Sequence, residues 1–399
     1  MKSVSIAAAV AGGAICALLA SSTTGSANAA TAGLPPLTIL THGANIGNGD
    51  IFVAPNGGPP GPGGSGYASG PEILSGTGQV IWSHPLPAGE FAADFRTQTY
   101  LGQPVLTWFQ AGGAGGPMDV IYNDHFQQIA TVQAGNGYRT DMHEFLITPW
   151  NTALILADDV TTADLTSIGG PSNQTVVDGV VQEVDISTGK VLFQWNSADH
   201  VPYSDSHVPL PPSASQPWDW FHVNAVHLDT DGNLLISSRH TWTVYKVNRV
   251  TGAMIWELGG KHSSFTLKGA PFTQGLDAAG EIFAWQHDPE SLGNGVYTIF
   301  DDESDGNVTL FPTSRAVTVQ LDLNTHVATL IKSINQPEGL VAAATGNAQT
   351  LPAGDMFVSW GNLPYISEFS PSGKLLFDAK WPNGVSSYRS YLLPWNPAS

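Results

Sequence analysis

The chain is poor in cysteine, in charge and in basic residues, and each shortage removes a class of function. Its single cysteine, Cys16, lies in an apolar N-terminal run, so everything after it lacks a thiol. That excludes a disulfide framework, a thiolate nucleophile and a Cys-based metal site from the body of the protein. Only 12% of residues are charged, and Asp and Glu outnumber Lys and Arg by 33 to 14. An acidic balance argues against nucleic-acid and anionic-membrane partners, both of which need basic patches. No Walker-type phosphate loop is present, so nucleotide chemistry has no obvious seat. The apolar run from Ile6 to Ala20 is too short, and too quickly followed by Ser and Thr, to span a bilayer stably. With Lys2 before it and Ala27-Asn28-Ala29 after it, the run reads as a secretory signal peptide over residues 1–29. A secreted protein is expected, with 30–399 as one domain.

What the chain does hold is 44 Gly, 28 Pro and 12 Trp, with few plausible long helices, which points to an all-β fold of short strands and tight turns. A repeat runs through it. One unit is a strand, a turn of Gly, Thr, Ser, Asn or Asp, and a second apolar strand. It occurs at Pro71–Trp82, Val120–Val132, Val181–Phe193, Val244–Leu258, Ala316–Ile331 and Tyr365–Phe377. The alternation around each turn is that of an antiparallel hairpin. A second kind of hairpin lies between these, at Phe145–Ala157, Ala225–Ser237 and Ser291–Phe300, and less tightly at Gln349–Trp360 and Gln103–Phe109. Ile51-Phe52-Val53 is the candidate for the remaining pair. Two hairpins per unit make a four-stranded blade, so the expected fold is a six-bladed β-propeller of four-stranded antiparallel blades. Ambiguous ends leave five or seven blades as neighbouring solutions. The tail Ser386–Trp395 is expected to close the ring near the first blade, and Asn56–Gly70 to form a long surface loop.

A propeller converts sequence position into position around a ring, because equivalent residues of successive blades line one level of the channel. His143 stands at the head of a first strand, within Asp141-Met142-His143-Glu144-Phe145. His222 holds the same place in the next repeat, and His287 in the one after, within Trp285-Gln286-His287-Asp288. The three are expected to converge at one mouth. The hairpin after His222 ends on Ser237-Ser238-Arg239-His240, which returns Arg239 to the level of His222 and Asn224. Imidazoles, a guanidinium and an amide with few carboxylates bind an anion, and phosphate, sulfate and carboxylate esters all qualify on charge. His42, His84, His125, His200, His207, His227, His262 and His326 fall outside this register and read as structural or solvated. Trp218, Trp220, Trp285 and Trp360 stand near the mouth, where stacking on an aryl ring and packing between blades are both open to them.

With these residues in place, the chain resembles the arylsulfotransferase family from about Asp94 to Trp395. The resemblance is most specific in Trp218–Glu257, with its Phe-His-Val-Asn, Asp-Gly-Asn, Ser-Ser-Arg-His and Thr-Gly-x-x-x-Trp steps. Gln286-His287-Asp288, Gly346-Asn347-Ala348-Gln349 and Trp360-Gly361-Asn362 follow. It implies a propeller with a channel site that moves a sulfuryl group from an aryl sulfate to a phenol, through a sulfated histidine and without a nucleotide donor. On it, His287 is the histidine that takes the sulfuryl group. His222 and Asn224 are the His-x-Asn step, Arg239 is the sulfate-binding arginine, and His143 relays the phenol's proton. Asn224, His240, Trp285 and Trp220 are the residues expected to contact substrate. No cofactor and no metal are implied, and the partners are a small aryl sulfate donor and a phenolic acceptor.

Two other readings use the same residues. A hydrolase or lyase acting on an anionic aromatic metabolite would need the same anion pocket. A non-enzymatic binding propeller would not need histidines at one register of three blades. Three histidines suit Zn²⁺ or Cu²⁺, but Arg239 among them would repel a cation. The acidic run Asp301–Asn307 lacks EF-hand spacing and reads as a solvated turn rather than a calcium loop.

Overall fold

Short alternating strands can bury both faces only if sheets stack against each other, and here six antiparallel sheets do so around one axis. The structure is a computed structural model that describes residues 33–43, 47, 49–57 and 65–396. The signal-peptide reading of residues 1–29 and the middle of the 56–70 loop lie outside the described residues.

Each sheet is a blade, and the expected hairpins appear in all six. In chain order, the innermost strands are Phe91–Tyr100, Arg139–Ile147, Val223–Leu228, His287–Gly293 and Asn347–Thr350, in the second to sixth blades. The first blade takes its innermost strand from the chain's other end. Ser386–Leu393 pairs antiparallel with Asp50–Asn56, which carries the Ile51–Val53 segment. Ser386–Leu393 thus joins the two ends of the described chain within one blade. The N-terminal strand Thr38–His42 adds to the outer edge of the sixth blade, on Leu375–Lys380, so both ends fasten the ring. The third and fifth blades also gain an edge element, through Trp218–Asp219 and Thr266–Gly269, both paired in parallel. The inner strand of the second blade, Phe91–Tyr100, was not among the expected hairpin segments, which began at Gln103.

Apolar clusters fill the seams between blades. The largest joins the third and fourth blades through Trp195, Trp220, Phe221 and Tyr245, with Leu154, Leu156, Val226 and Ile236. The axis is different. Near its middle, the inner strands turn charged side chains toward one another. Arg389 of the first blade bonds Glu144 of the third at 2.8 Å and lies 3.3 Å from Asp288 of the fifth. His227 of the fourth bridges Glu144 and Asp288, each at 3.1 Å. Arg96 of the second pairs with Glu144 and with Asp94, and Tyr391 donates to Asp94 at 2.9 Å. Cavities lie toward both ends of the inner strands, on either side of this lattice. One, of about 520 Å³, opens where the inner strands begin and is lined by Phe91, Met142, Thr345 and Tyr388 among others. The other, of about 670 Å³, lies where they end, beside Thr99, Ile147, Glu290 and Leu393.

His227, one of the histidines read as structural or solvated, is structural, and it is the bridging cation of this lattice. Burial lowers its proton affinity, but Glu144 and Asp288 outweigh that and raise its pKa to about 10. A histidine whose folded pKa exceeds its unfolded value contributes its stability fully below the unfolded value, near 6.5, and loses it as pH rises through 10. His227→Gln is therefore expected to cost about 3–5 kcal/mol, because it leaves buried carboxylates short of a cation. Denaturant unfolding at pH 6 checks this. The gap between variant and wild type should shrink when the measurement is repeated above pH 10.

Candidate functional site

Three inner strands bring a histidine to the same mouth. His143 lies within Arg139–Ile147, His222 directly precedes Val223–Leu228, and His287 opens His287–Gly293. The rings of His143 and His222 meet edge to face, 5.1 Å between centroids, and His222 lies 4.7 Å from His240. The returning hairpin behaves as its length requires. The main-chain N–H of Arg239 donates to the His222 carbonyl and that of His240 to the Phe221 carbonyl. His287, one blade further, is close enough for Arg239, His143 and His222 all to act on its ring.

Each of the three histidines places Nδ1 against a carboxylate. The distances are 2.5 Å for His143 and Asp141, 2.5 Å for His222 and Asp219, and 2.6 Å for His287 and Asp302. Such a partner keeps a proton on Nδ1, so that in the neutral ring Nε2 is the unprotonated nitrogen. For His287 the tautomer is fixed from both sides, because the Thr345 main-chain N–H donates to Nε2 at 3.2 Å. None of the three aspartates, nor Thr345, stood out in the sequence. The Asp141-x-His143 and Asp219-x-x-His222 spacings carried a usable signal, while Asp302 and Thr345 reach His287 only through the fold.

The surroundings set the histidines apart. Burial, then the positive charge of Arg239, holds His287 well below the usual imidazole range, so it stays neutral. Burial would lower His143 as well, but the charge and hydrogen bond of Asp141 overcome it and raise its pKa. Burial would raise Asp219, yet His222 and His240 outweigh it and keep the carboxylate ionised. His240 is pushed down to about 3, by burial and then by His222 and Arg239, against the opposing pull of Asp219.

Among the described residues no carboxylate pairs directly with Arg239; burial lowers its pKa, against the more distant pull of Asp302, Asp219 and Asp305. Its Nη1 donates to His240 Nε2 at 2.8 Å, its Nη2 donates to the Ala343 carbonyl at 2.6 Å, and its Nε is buried without a partner. A buried guanidinium whose hydrogen-bond partners are all neutral is an anion site. Strained backbone gathers here too. His222, Trp242, Trp285, Asp288, Glu303 and Thr345 all adopt left-handed φ, between 51° and 68°. Each costs on the order of 1 kcal/mol and persists only where its surroundings enforce it.

Several expected contacts take another role. Trp220 is fully buried between the third and fourth blades and has no surface at the mouth, so it packs the fold rather than a substrate. Trp218 and Trp360 are likewise core. Trp285 is buried edge-on against Trp242, 4.7 Å between centroids. Asn224 is completely buried, and its amide donates to the Gln286 carbonyl at 2.7 Å, bracing the segment that carries His287. The reading of Asp301–Asn307 as a solvated turn is corrected for its first half. Asp301, Asp302 and Glu303 are fully buried, because Arg315 pairs with Asp301 and Glu303 and His287 takes Asp302. Only Asp305–Asn307 keep to the surface or near it.

Two groups among the described residues have the composition of a metal site, and neither suits one. In Asp219–His222–His240, Arg239 donates to His240 Nε2, so the proton is on Nδ1, which is spent on the Asp219 carbonyl at 2.5 Å. A cation there would have to displace that proton beside a guanidinium. In Glu144–His227–Asp288, Arg389 already supplies the positive charge.

What the mouth can do is hold an anion at Arg239 beside an unprotonated imidazole nitrogen. The model of one family, described as arylsulfotransferase (ASST), matches residues 97–381. The chain belongs to the arylsulfotransferase family. No curated protein matches the chain. Solved structures similar to this arylsulfotransferase-family chain include a Bacteroides caccae protein of unknown function, at 13% identity. It covers 86% of this chain and 98% of its own, with a TM-score of 0.49. The periplasmic gluconolactonase of Pseudomonas aeruginosa, also at 13%, covers 88% and 98% with a TM-score of 0.40. A virginiamycin B lyase from Staphylococcus aureus, at 9%, covers 71% and 74% with a TM-score of 0.34.

A buried cation without a directly paired carboxylate destabilises the free protein and rewards a bound anion. Inorganic sulfate is expected to raise the melting temperature of this arylsulfotransferase-family protein in a saturable way. Arg239→Met should abolish that rise while leaving the anion-free melting temperature equal or higher. Differential scanning calorimetry with sulfate against chloride at equal ionic strength decides it.

Proposed function

We propose that the protein transfers a sulfuryl group from an aryl sulfate to a phenolic acceptor through a covalent adduct on Nε2 of His287. The observation that carries this reading is a buried, neutral His287, its unprotonated Nε2 accepting only from the Thr345 N–H, near a guanidinium whose hydrogen-bond partners are neutral. A neutral imidazole is a competent nucleophile, and a covalent intermediate splits one hard transfer into two easier ones. Family membership supports sulfuryl transfer as the reaction class.

The roles follow from the opposed environments. His287, held neutral, attacks sulfur. Arg239, and the Thr345 N–H once the N–S bond displaces it from Nε2, are the donors for the charge that gathers on the sulfuryl oxygens, and each well-placed donor contributes about 3–4 kcal/mol. His143, held toward its protonated form by Asp141, gives a proton to the departing phenolate and takes one from the incoming phenol. His222, fixed by Asp219 and edge-on to His143, orients that ring. The aryl ring lies on the apolar shelf of the 520 Å³ cavity, against Phe91, Met142 and Tyr388. That shelf takes over the stacking role first expected of Trp220 and Trp285. The charged start and the apolar run of residues 6–20 support action outside the cell.

Purified protein incubated with 4-nitrophenyl sulfate tests this reading. Nitrophenolate release should depend on added phenol and vanish in His287→Ala. Release that ignores phenol would assign the same pocket to hydrolysis, and an active His287→Ala would remove the nucleophile. Phe91→Ala should raise KM for the aryl sulfate roughly 5–30-fold, the loss of about 1–2 kcal/mol of aromatic contact, with a smaller effect on kcat.

A further inference from the structure

The three carboxylate–imidazole pairs of the mouth are alike in geometry and unlike in setting. In the His143 pair both side chains keep 16% of their surface exposed, and in the His222 pair 25% and 37%. His287 and Asp302 keep 1% and 0%. The Asp302 carboxyl spends Oδ2 on His287 Nδ1, and its Oδ1 is buried with no partner at all. The loop that carries it is pinned, since Ser314 Oγ donates to the Asp302 carbonyl at 2.7 Å. A buried carboxyl with one oxygen unsatisfied is poorly stabilised as an anion and ready to accept a proton.

We infer that Asp302 is the positioning residue that receives the Nδ1 proton of His287 when Nε2 takes the sulfuryl group, and so sets the lifetime of the adduct. This rests on the transfer reading above. As the Nε2 lone pair forms the N–S bond, the bond from sulfur to the aryl oxygen breaks and its electron pair leaves with the phenolate. The ring would then be a cation. Instead its Nδ1 proton passes to Asp302, leaving a neutral imidazole ring with an anionic SO₃ group beside a neutral carboxylic acid. In the second half-reaction the acceptor oxygen attacks sulfur, the N–S electron pair returns to Nε2, and the proton returns to Nδ1. A cationic ring is the better leaving group and would surrender the sulfuryl group to water. The neutral ring holds it for the acceptor.

The charges around the pair agree with this. Burial raises Asp302 well above the usual carboxylate range, Arg239 pulls it down, and Asp301 pushes it up. The ring of His287 faces Arg239, His143, His222 and Arg389, all of which disfavour a second positive charge there.

The test is the pre-steady-state burst of nitrophenolate with 4-nitrophenyl sulfate and no acceptor, followed against pH for wild type, Asp302→Asn and Asp302→Glu. The asparagine oxygen can still accept from Nδ1, so a purely structural role predicts a burst within about fivefold of wild type and the same pH profile. The inference predicts a burst slowed roughly 10³–10⁴-fold, the scale of removing the carboxylate behind a catalytic imidazole. It also predicts loss of the acid limb of the wild-type profile, where Asp302 is already protonated, and return of that limb in Asp302→Glu. If Asp302→Asn fails to unfold cooperatively, the glutamate variant decides alone, and an absent acid limb there overturns the inference. A fast burst with an unchanged profile in Asp302→Asn also overturns it while leaving sulfuryl transfer intact. A wild-type protein with neither burst nor phenol-dependent release overturns the transfer reading, and this inference with it.

Discussion

The architecture turns on one buried lattice of charge at the propeller's axis. Three cations, Arg96, Arg389 and His227, face three carboxylates, Asp94, Glu144 and Asp288, and these six residues come from five of the six blades. Desolvating so many charges is tolerable only if every one finds its partners together. An apolar axis would tolerate sliding of one blade past the next. A hydrogen-bonded lattice does not, and it fixes the depth of each inner strand relative to its neighbours.

That depth is what the chemistry uses. His143 precedes Glu144, His287 precedes Asp288, and Tyr388 precedes Arg389 in the chain. The layer of mouth residues is thus the layer of lattice residues displaced by one position toward the opening. Tyr388 shows the coupling directly, donating to the His143 carbonyl at 3.1 Å while its neighbour Arg389 donates to the Asn224 carbonyl at 3.2 Å. The lattice also lies beneath the mouth, and because His287 is buried the field of Arg239 acts on it with little screening.

Much of this was legible in the sequence, for reasons that also mark where legibility ends. Hairpins announce themselves by turn residues between alternating strands, so ten of the blade-forming hairpin segments were placed correctly, as at Asp229–Asn233 and Thr251-Gly252. Register then put His143, His222, His287 and Arg239 at one level. The failures share a cause. Both faces of an inner strand pack on neighbouring blades, so alternation does not say which residue reaches the axis, and the bridging role of His227 has no signal in the sequence. Acidic runs read as solvent-facing unless a partner is known, and the partners of Asp301–Glu303 are Arg315 and His287, supplied by the fold. Tryptophans such as Trp220 look alike in sequence whether they stack on a ligand or fill a seam.

The central claim is that Nε2 of His287 becomes covalently sulfated, and mass spectrometry addresses it most directly. The protein is mixed with an aryl sulfate in the absence of acceptor, quenched in base within the first turnover, and digested. The account predicts a gain of about 80 Da, one SO₃ group as expected of nucleophilic catalysis, on the peptide that carries His287, removed on adding phenol before the quench. Unmodified protein during turnover, or the added mass on another residue, would contradict it.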